Sequence, residues 1–381
     1  MRLAAGIVQA VVETVGQRQT LVVALDEDVA PSDVSEGACT PTSTGEDPSL
    51  VVTAVNYLEI ARPLRPTDRV LLNMTALDLG LGTGGIAFVV PQGAFGEKAD
   101  RSDGHLMKLR YTPLQREVCA VEEPASPHHR VMREARSLAG MPVVCCGLHS
   151  QVPLVAAAVK HRMPDAHVTY CMTDEAALML AFSELAERAV CSGLVDATVT
   201  CGQALGGVLE AVTLHSGLLA AHHVLASDVC IVGIGPGLAG SETAFGHGGI
   251  AQGEALNAVG TLQGAPVAAL RVSFADGRAR HLGISHHCLT ALRDVCLTKA
   301  VIALPADVPP TQKAMLTAAL REAGLYDKHR VLEVAVARER IDLWGLTVTT
   351  MGRTQEDDPA FFDAAFAAGL AAAELAKRRR A

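Results

Sequence analysis

The stretch Asp228-Val-Cys-Ile-Val-Gly-Ile-Gly-Pro-Gly237 decides the fold of this chain. After Asp228 it is apolar without a break, and a glycine-rich turn ends it. A strand with one exposed face alternates apolar and polar residues, whereas an unbroken apolar run is typical of a strand buried on both faces. The stretch therefore predicts a central strand of a parallel sheet with helices on both sides.

Similar apolar runs recur from Met141 onwards, and patterns typical of helices separate them. The predicted strands are residues 142–147, 167–172, 197–201, 228–233, 266–274, 299–304 and 330–336. The predicted helices begin near residues 150, 175, 207, 249, 285 and 310. Repeated alternation of strand and helix predicts a doubly wound, mostly parallel sheet, which is a Rossmann-like α/β domain over residues 141–381.

The first 115 residues show a different pattern, with short β-type runs and no long helical one. The runs cover residues 6–15, 20–25, 50–57, 69–74 and 86–90, and a polar excursion fills residues 26–49. Many short strands separated by turns predict a small all-β barrel or sandwich as an N-terminal domain over residues 1–115. Ser126-Pro127 is typical of a helix start, so residues 116–140 are predicted to form a connecting helix.

Composition argues against several classes of protein. The net charge of −9 disfavours a nucleic-acid binder, which needs a basic surface for the phosphates. Ten cysteines occur without a C-x-x-C pair, so we expect free buried thiols in a cytoplasmic protein.

No apolar run reaches the ~18 residues of a membrane span, and residues 360–376 are predicted to form a packed amphipathic helix. We expect no signal peptide, because Gln9 and Glu13 interrupt the first apolar stretch.

The loops after the predicted strands are rich in glycine, histidine and hydroxyl residues. In a parallel α/β sheet the carboxyl ends of the strands share one edge, where ligands bind. Glycine lets the backbone N–H groups of such a loop approach an anion closely. The predicted anion-binding positions are Thr173, Asp174, Gly235, Gly237, Ser241 and Gly248. The alternative is a glycine-rich crossover that serves only to pack a helix tightly on its strand.

The loop after the fifth strand holds an unusual number of ionisable residues. It reads Arg271-Val-Ser-Phe-Ala-Asp276-Gly-Arg278-Ala-Arg280-His281-Leu-Gly-Ile-Ser-His286-His287. Arg278 and Arg280 alternate in a segment expected to be extended, so they should project to one side and bind a carboxylate or phosphate. The alternative is that they form salt bridges with Asp276 or Asp294.

Histidines in and near this loop supply the catalytic hypothesis, because a histidine can transfer a proton near neutral pH. The candidate catalytic residues are His281, His286, His287, His247 and Asp276. Adjacent histidines at a helix start are expected to point apart. Only one of His286 and His287 should therefore face the site.

No motif determines a metal site or a nucleophile. The spacings H-E-x-x-H and H-x-H are absent, so the sequence assigns no metal ligands, and G-x-S-x-G is absent as well. A divalent metal stays open as a cofactor, because Asp174, Glu254 and the histidines are expected near one edge of the sheet. The cofactor is otherwise unknown.

A set of motifs is spread over nearly the whole chain. They are Leu72-Asn73-Met-Thr75-Ala, Leu81-Gly82-Thr83-Gly84-Gly85, Lys108-Leu-Arg110-Tyr111-Thr112-Pro113-Leu-Gln115, Met172-Thr173-Asp174, Gly202-Gln203-Ala, Gly246-His247-Gly-Gly-Ile-Ala-Gln252-Gly253-Glu254, Ser273-Phe-Ala-Asp276-x-Arg278-x-Arg280-His281-x-Gly283-x-Ser285-His286-His287 and Thr350-Met351-Gly352-Arg353. In these motifs the chain resembles a bacterial family of uncharacterised proteins, the domain-of-unknown-function family number three-eight-six-six. The resemblance implies no activity.

The sequence favours a cytosolic protein that binds a small anionic metabolite at this edge and catalyses hydrolysis or group transfer. In this hypothesis the two arginines hold the anion, His286 or His281 moves a proton, and the aspartate of the loop orients a histidine or binds a metal. Lys108, Arg110 and Tyr111 would close the site from the N-terminal domain. The alternative is a non-catalytic ligand sensor or an oligomeric scaffold, with a homodimer formed through these loops.

Overall fold

The computed structural model describes residues 2–26, 40–41, 50–78, 85–91 and 104–381. Most of the predicted polar excursion, and residues 81–84 of the first glycine-rich motif, lie outside the described residues. The chain divides into two compact units. The first is Met1–Arg101 with Leu109–Arg116, and the second is Ser102–Lys108 with Glu117–Ala381.

The first unit is a small β-barrel. Its elements are β1 (Leu3–Val15), β2 (Arg18–Leu25), β3 (Thr40–Pro41), β4 (Leu50–Tyr57), β5 (Arg69–Asn73), α1 (Thr75–Asp78) and β6 (Ala87–Val90). Antiparallel pairs join β2 to β1, β1 to β5 and β5 to β6, and β6 runs parallel to β4. An antiparallel pair of β4 with β2 closes the ring of five strands.

This closed barrel confirms the small all-β domain that was predicted for the N-terminal part of the chain. Its connectivity is that of a five-stranded Greek-key barrel of the oligonucleotide- and oligosaccharide-binding type. The interior is filled by Leu21, Val23, Val52, Leu72 and Met74. A fold by itself assigns no ligand, so the barrel carries no functional conclusion.

The rest of the chain alternates strands and helices. In chain order the elements are β7 (Leu106–Lys108), β8 (Arg116–Val118), α2 (His129–Glu134), β9 (Pro142–Cys145), α3 (Gln151–Arg162), β10 (Val168–Thr173), α4 (Glu184–Cys191), β11 (Ala197–Cys201), β12 (Leu209–Ala211), α5 (Leu214–His223), β13 (Val229–Ile234), α6 (Ala251–Thr261), β14 (Ala265–Ala268), β15 (Val272–Ser273), β16 (Gly283–Ile284), α7 (His286–Thr290), β17 (Val301–Pro305), α8 (Pro310–Glu322), α9 (Leu325–Lys328), β18 (Arg330–Val334) and α10 (Pro359–Arg380).

Eight of these strands form one parallel sheet in the order β12-β11-β10-β13-β9-β14-β17-β18. Every pairing in it is parallel, which confirms the predicted doubly wound, Rossmann-like architecture. The sequence missed β12, because three residues are too few to produce a recognisable period. The predicted strand at residues 266–274 is divided between β14 and β15.

Apolar layers cover both faces of this sheet. α3, α4 and α10 contribute to one layer, and α5, α6 and α8 contribute to the other. Successive residues of β13 are divided between them, since Ile231 belongs to the first layer and Cys230 and Val232 belong to the second. Burial on both faces favours an apolar side chain at every position of a strand, which explains the unbroken apolar run.

Two predicted helix starts are wrong. The helix expected near residue 175 begins at Glu184, where the Ser183 side chain accepts a hydrogen bond from the Ala186 N–H and caps it. The helix expected near residue 207 is preceded by β12, and α5 begins after Thr213, which also acts as its cap. In both cases a hydroxyl cap determines the start, because the first N–H groups of a helix need an acceptor.

The described cysteines are free thiols, as expected. Cys145 and Cys146 are adjacent in the chain but point to opposite faces of the sheet, into the two different layers. Burial raises the pKa of both thiols, which disfavours the reactive thiolate form.

The long C-terminal helix α10 lies within the protein and is not amphipathic, contrary to the prediction. Residues Ala360 to Ala373 are buried without interruption, and Asp363 pairs with Arg338. Among the described helices α10 alone is long and apolar enough to cross a membrane, and 83% of its most apolar window of 18 residues is buried in the protein. A core helix passes the same test of length and composition, so this is weak evidence for a membrane span.

The order of the strands reverses at β9. From β9 the chain passes through α3 to β10 on one side, and from β13 it passes through α6 to β14 on the other side. Because α3 and α6 lie on opposite faces, the segments that leave β9 and β13 diverge at the carboxyl edge. Ligands bind at such a switch point in open α/β sheets.

Close packing of α10 on α3 depends on Gly369. An added Cβ there would lie 2.4 Å from the Val155 carbonyl oxygen and 2.7 Å from the Ala158 Cβ, and neither atom can rotate away. We expect Gly369→Ala to lower the free energy of unfolding by about 1–3 kcal/mol, measured by urea denaturation. Gly277→Ala is the control, because its Cβ would meet nothing within 4 Å. Equal stability of the two variants would contradict this account of the helix contact.

Candidate functional site

A hairpin after β14 and the start of α7 present the predicted site residues Asp276, Arg278, Arg280, His281, His286 and His287. β15 pairs antiparallel with β16, and the Ser285 N–H donates to the Arg271 carbonyl oxygen at 2.9 Å. Gly283 has a φ of +73°, a left-handed conformation that glycine adopts without strain. The hairpin loop therefore carries residues 276–281, and α7 begins directly after the hairpin.

Four histidines form one cluster at this edge of the sheet. His247, from the loop after β13, stacks on His287 with ring centroids 3.8 Å apart. The rings of His286 and His287 lie 4.2 Å apart, and the ring of His281 lies 5.2 and 5.0 Å from them. The expectation that only one of the adjacent histidines faces the site is wrong. The hairpin loop and the loop after β13 approach α7 separately, so both rings have histidine neighbours.

Hydrogen bonds orient two of these rings. His281 is buried, and its Nδ1 lies 2.8 Å from Oγ of the buried Ser285. The Nε2 of His247 lies 3.1 Å from the Ala244 carbonyl oxygen, so Nε2 carries the proton and Nδ1 is the acceptor.

Three ring nitrogens of the cluster are buried without a hydrogen-bond partner among the described residues. They are His247 Nδ1, His286 Nε2 and His287 Nδ1. Buried polar atoms are nearly always paired, with protein, water or an ion. The three nitrogens are therefore available to a water, an ion or a ligand.

The histidines of the cluster are held in the neutral form. Burial is the main cause, and it lowers the pKa of His281 to about 4 and the pKa of His287 to about 3. The pKa values of His247 and His286 are also lowered, again chiefly by burial. The positive charge of Arg271 adds to the effect at three of the four rings. At neutral pH the rings therefore keep free lone pairs, which can accept hydrogen bonds or coordinate a metal.

A buried carboxylate organises the positive charge beside the cluster. Asp276 accepts hydrogen bonds from Arg278 Nε and Nη2 at 2.9 and 2.7 Å. Arg271 and Arg353 each place a guanidinium nitrogen 3.6 Å from Oδ2 of the same carboxylate. The hydrogen bond from Arg278 is the largest cause that holds the pKa of Asp276 well below its usual range. Arg353 also pairs with Asp358 at 3.2 Å. The group therefore contains three guanidinium cations and two carboxylates, which leaves a net charge of one positive unit.

The expected projection of Arg278 and Arg280 to one side is wrong. Residues Ala279–His281 form a single 3-10 turn and not an extended segment, so the two arginines diverge. Arg278 binds Asp276, which is the alternative that the sequence left open, and Arg280 pairs with Glu242 of the loop after β13 at 2.8 Å. The side chains of Arg280 and Glu242 are 37% and 71% exposed, so this pair is weak and can exchange for another anion.

Other predicted anion-binding positions make local contacts in the post-strand loops. An added Cβ at Gly235 would lie 2.5 Å from the Ala177 carbonyl oxygen. Ser241 Oγ donates to a carbonyl of its own loop at 2.8 Å, and Asp174 accepts the Gln203 N–H at 2.7 Å. The remaining positions are Thr173, the last residue of β10, and Gly237 and Gly248 in the loop after β13. A role of these residues in anion binding stays a prediction.

Sequence reasoning gave no role to Gln151, Gln252 and Arg353. Gln252 Nε2 donates to carbonyls at the ends of β9 and β14, both at 2.8 Å, and Gln151 Nε2 donates to a carbonyl after β14 at 2.9 Å. The two glutamines hold these strand ends together below the histidine cluster. Arg353 had one signal, its place in the Thr350–Arg353 motif, and no local pattern related it to Asp276.

Lys108 does not close the site as expected. Its buried Nζ donates to the carbonyl oxygens of Thr200 and Ala204 at 2.9 and 2.6 Å, and it pairs with Glu210 at 2.6 Å. Lys108 therefore stabilises the connection between β11 and β12.

A further histidine, His149, follows β9 at the same edge of the sheet. Its Nε2 lies 2.5 Å from Ser183 Oγ, and its Nδ1 lies 3.2 Å from both the Tyr170 hydroxyl and the Ile234 carbonyl oxygen. Burial lowers its pKa to about 4.

Comparison with protein families matches residues 53–369 to DUF3866, a family described as a protein of unknown function. The chain belongs to this family. Comparisons with curated proteins and with solved structures gave no match. The family brings no activity with it, so the function has to be argued from the chemistry of the site.

Removal of the Asp276 charge leaves its arginines without their shared partner. We expect Asp276→Asn to lower the free energy of unfolding by roughly 3–5 kcal/mol, because uncompensated charges remain at a buried position. Asp294→Asn is the matched control, since it breaks the more exposed pair with Arg293 and should cost about 0–1 kcal/mol. Urea denaturation at pH 7 measures both changes. Similar losses in the two variants would contradict the organising role of Asp276.

His149 should make the stability of the fold depend on pH. The unfolded chain binds a proton at a histidine below about pH 6.5, whereas folded His149 does so only near pH 4. Stability is therefore complete above pH 6.5 and is lost as the pH falls towards 4, by at most about 1.4 kcal/mol per pH unit.

The variant His149→Gln removes this titration, so the slope of unfolding free energy against pH should decrease. Urea denaturation at several values between pH 4.5 and 6.5 measures the slope. His161→Gln, at an exposed histidine of α3, is the control for the loss of a histidine elsewhere. An unchanged slope in His149→Gln would show that His149 is not the group responsible.

Proposed function

We propose that the protein binds a small anionic metabolite, one that carries a phosphate or carboxylate, at the carboxyl edge of the parallel sheet. The observation that carries this proposal is the charge arrangement beside the histidine cluster. Arg271, Arg278 and Arg353 face Asp276 and Asp358, so one positive charge is not balanced there. An anionic group supplies the missing charge, and planar guanidinium groups bind carboxylate and phosphate well.

Arg280 is the side chain best placed to exchange partners. Its carboxylate partner Glu242 is 71% exposed, so a bound anion can replace it at little cost. Arg278, by contrast, is held by a bidentate contact to the buried Asp276. In the proposal Arg280 contacts the anion directly, and Arg278 contributes through its charge.

The reaction that fits this site is hydrolysis or group transfer with a histidine as the proton acceptor. His247 is the best acceptor, because its Nε2 proton is fixed on the Ala244 carbonyl and its buried Nδ1 has no partner among the described residues. A lowered pKa keeps that nitrogen free of a proton at neutral pH. This role differs from the sequence hypothesis, which gave the proton transfer to His286 or His281.

A thermal-shift screen with inorganic phosphate, sugar phosphates, nucleotides and dicarboxylates tests the binding step. A ligand at 100 times its dissociation constant should stabilise the folded protein by about 2.7 kcal/mol. We expect the shift to disappear in Arg280→Gln and to persist in Arg293→Gln, a matched arginine in an ion pair with Asp294. Ligands that bind are then followed by NMR for turnover, which His247→Gln should abolish. The absence of any shift with these anions would overturn the proposal.

Assembly through the same loops is a second candidate function, and exposed apolar side chains favour it. Phe245 and Leu282 are 63% and 45% exposed, and they lie in the two loops that the Arg280–Glu242 pair joins. A contiguous apolar patch is typical of a surface that a partner covers, and in this alternative the two side chains belong to such a patch. In that case Arg280→Gln would change the mass measured by light scattering and leave anion affinity unchanged.

A further inference from the structure

We propose that His281, His286 and His287 together bind one divalent transition-metal ion, for which zinc is the best fit. The inference deepens the proposed function, on which it rests for the ligand that completes the coordination. It concerns side chains that come from the hairpin loop and the first turn of α7. The contacts of each ring carry the argument.

The geometry needs only a small closure around an ion. One nitrogen from each of the three rings lies within 4.8 Å of the other two. Nitrogens bound to a tetrahedral zinc at about 2.0–2.1 Å lie about 3.3 Å from one another. Side-chain rotations that move each nitrogen by about 1 Å achieve this, and the backbone stays in place.

The hydrogen bonds leave the right nitrogens available. His281 Nδ1 is bound to Ser285 Oγ at 2.8 Å, so Nε2 is left as its ligand atom. Metal-binding histidines usually donate their second nitrogen in this way, and the contact fixes the ring. His286 Nε2 and His287 Nδ1 are buried and unpartnered among the described residues. A bound cation would satisfy both nitrogens at once.

The donor set determines the class of metal. Three neutral imidazoles suit zinc and its first-row neighbours, whereas magnesium and calcium prefer oxygen ligands. Three protein ligands leave the fourth position of a tetrahedral ion open, as in catalytic zinc sites. The ring of His247 stacks on that of His287 at 3.8 Å, so it stands beside this set without belonging to it.

The neighbouring charges are mainly positive, so they favour a metal ion that is itself bound to an anion. Arg271, Arg278 and Arg280 raise the local positive potential, although Asp276 and Glu242 offset part of it. A divalent ion is stabilised here when an anion occupies its open position and contacts Arg280 as well. The metal and the arginine then hold the same phosphate or carboxylate.

Zinc binding to chelator-treated full-length protein tests the inference directly. Competition with a chromophoric chelator gives stoichiometry and affinity, and substitution by Co²⁺ gives a visible spectrum diagnostic of tetrahedral coordination. We expect one zinc per chain and at least a 100-fold loss of affinity in His287→Ala. Ser285→Ala, which keeps all three ligands and removes the contact that positions His281, should weaken binding by about 10–100-fold.

The matched control is the double variant His222→Gln, His223→Gln. These two histidines are also adjacent, with ring centroids 4.5 Å apart on α5, and they lie outside the cluster. We expect this variant to bind zinc as the original protein does. If zinc affinity falls in the control variant and not in His287→Ala, the zinc binds adventitiously at the α5 pair, and the proposal is overturned. The proposal is also overturned if the original protein binds no zinc at micromolar concentration.

Inorganic phosphate separates this inference from the proposed function. Thermal shifts with phosphate are measured on zinc-free and zinc-loaded protein. A phosphate shift in protein that binds no zinc would leave the anion site standing and remove the metal. One zinc per chain without a shift for phosphate or any other anion would establish the metal centre and remove the proposed function.

Discussion

Burial of the parallel sheet on both faces is the constraint on which the rest of this structure depends. With α3 and α10 on one side and α5 and α6 on the other, the strands carry mainly apolar side chains, and the polar ones among them, such as Thr169 and Thr200, are buried. Charged residues therefore collect mainly where strands end. Two crossovers leave β9 and β13 towards opposite faces, so the loops diverge at the edge where open α/β sheets bind their ligands. The packing of the core thus determines where the ionisable side chains lie.

At that edge the electrostatics and the hydrogen bonds support one another. Asp276 is buried with the charges of three arginines around it, while burial, with a smaller contribution from the charge of Arg271, lowers the pKa of the nearby histidines and keeps them neutral. Neutral rings can approach as closely as His247 and His287 do, whereas charged rings would repel. The same neutrality leaves lone pairs available. This is why both proposals, proton acceptance and metal binding, are compatible with a site so rich in positive charge.

The limits of sequence reasoning are clearest at particular residues. The run at 228–234 indicated its strand correctly, because burial on both faces favours an apolar residue at every position of the strand. The helix expected near residue 175 began at Glu184, because a cap at Ser183 and not the apolar period sets its start. Arg278 and Arg280 looked parallel in an extended chain, and a 3-10 turn separated them. Local geometry of this kind depends on contacts that the sequence does not state.

The sequence by itself determined the fold class, a small all-β domain followed by a doubly wound sheet, and the loop that holds the ionisable residues. These follow from periodicity and composition, which are local properties of the chain. Only the tertiary structure decided that both His286 and His287 join His281 and His247, and that Arg353 reaches Asp276 from 77 residues further along the chain. Such meetings depend on how several elements pack at once. No short stretch of sequence encodes them.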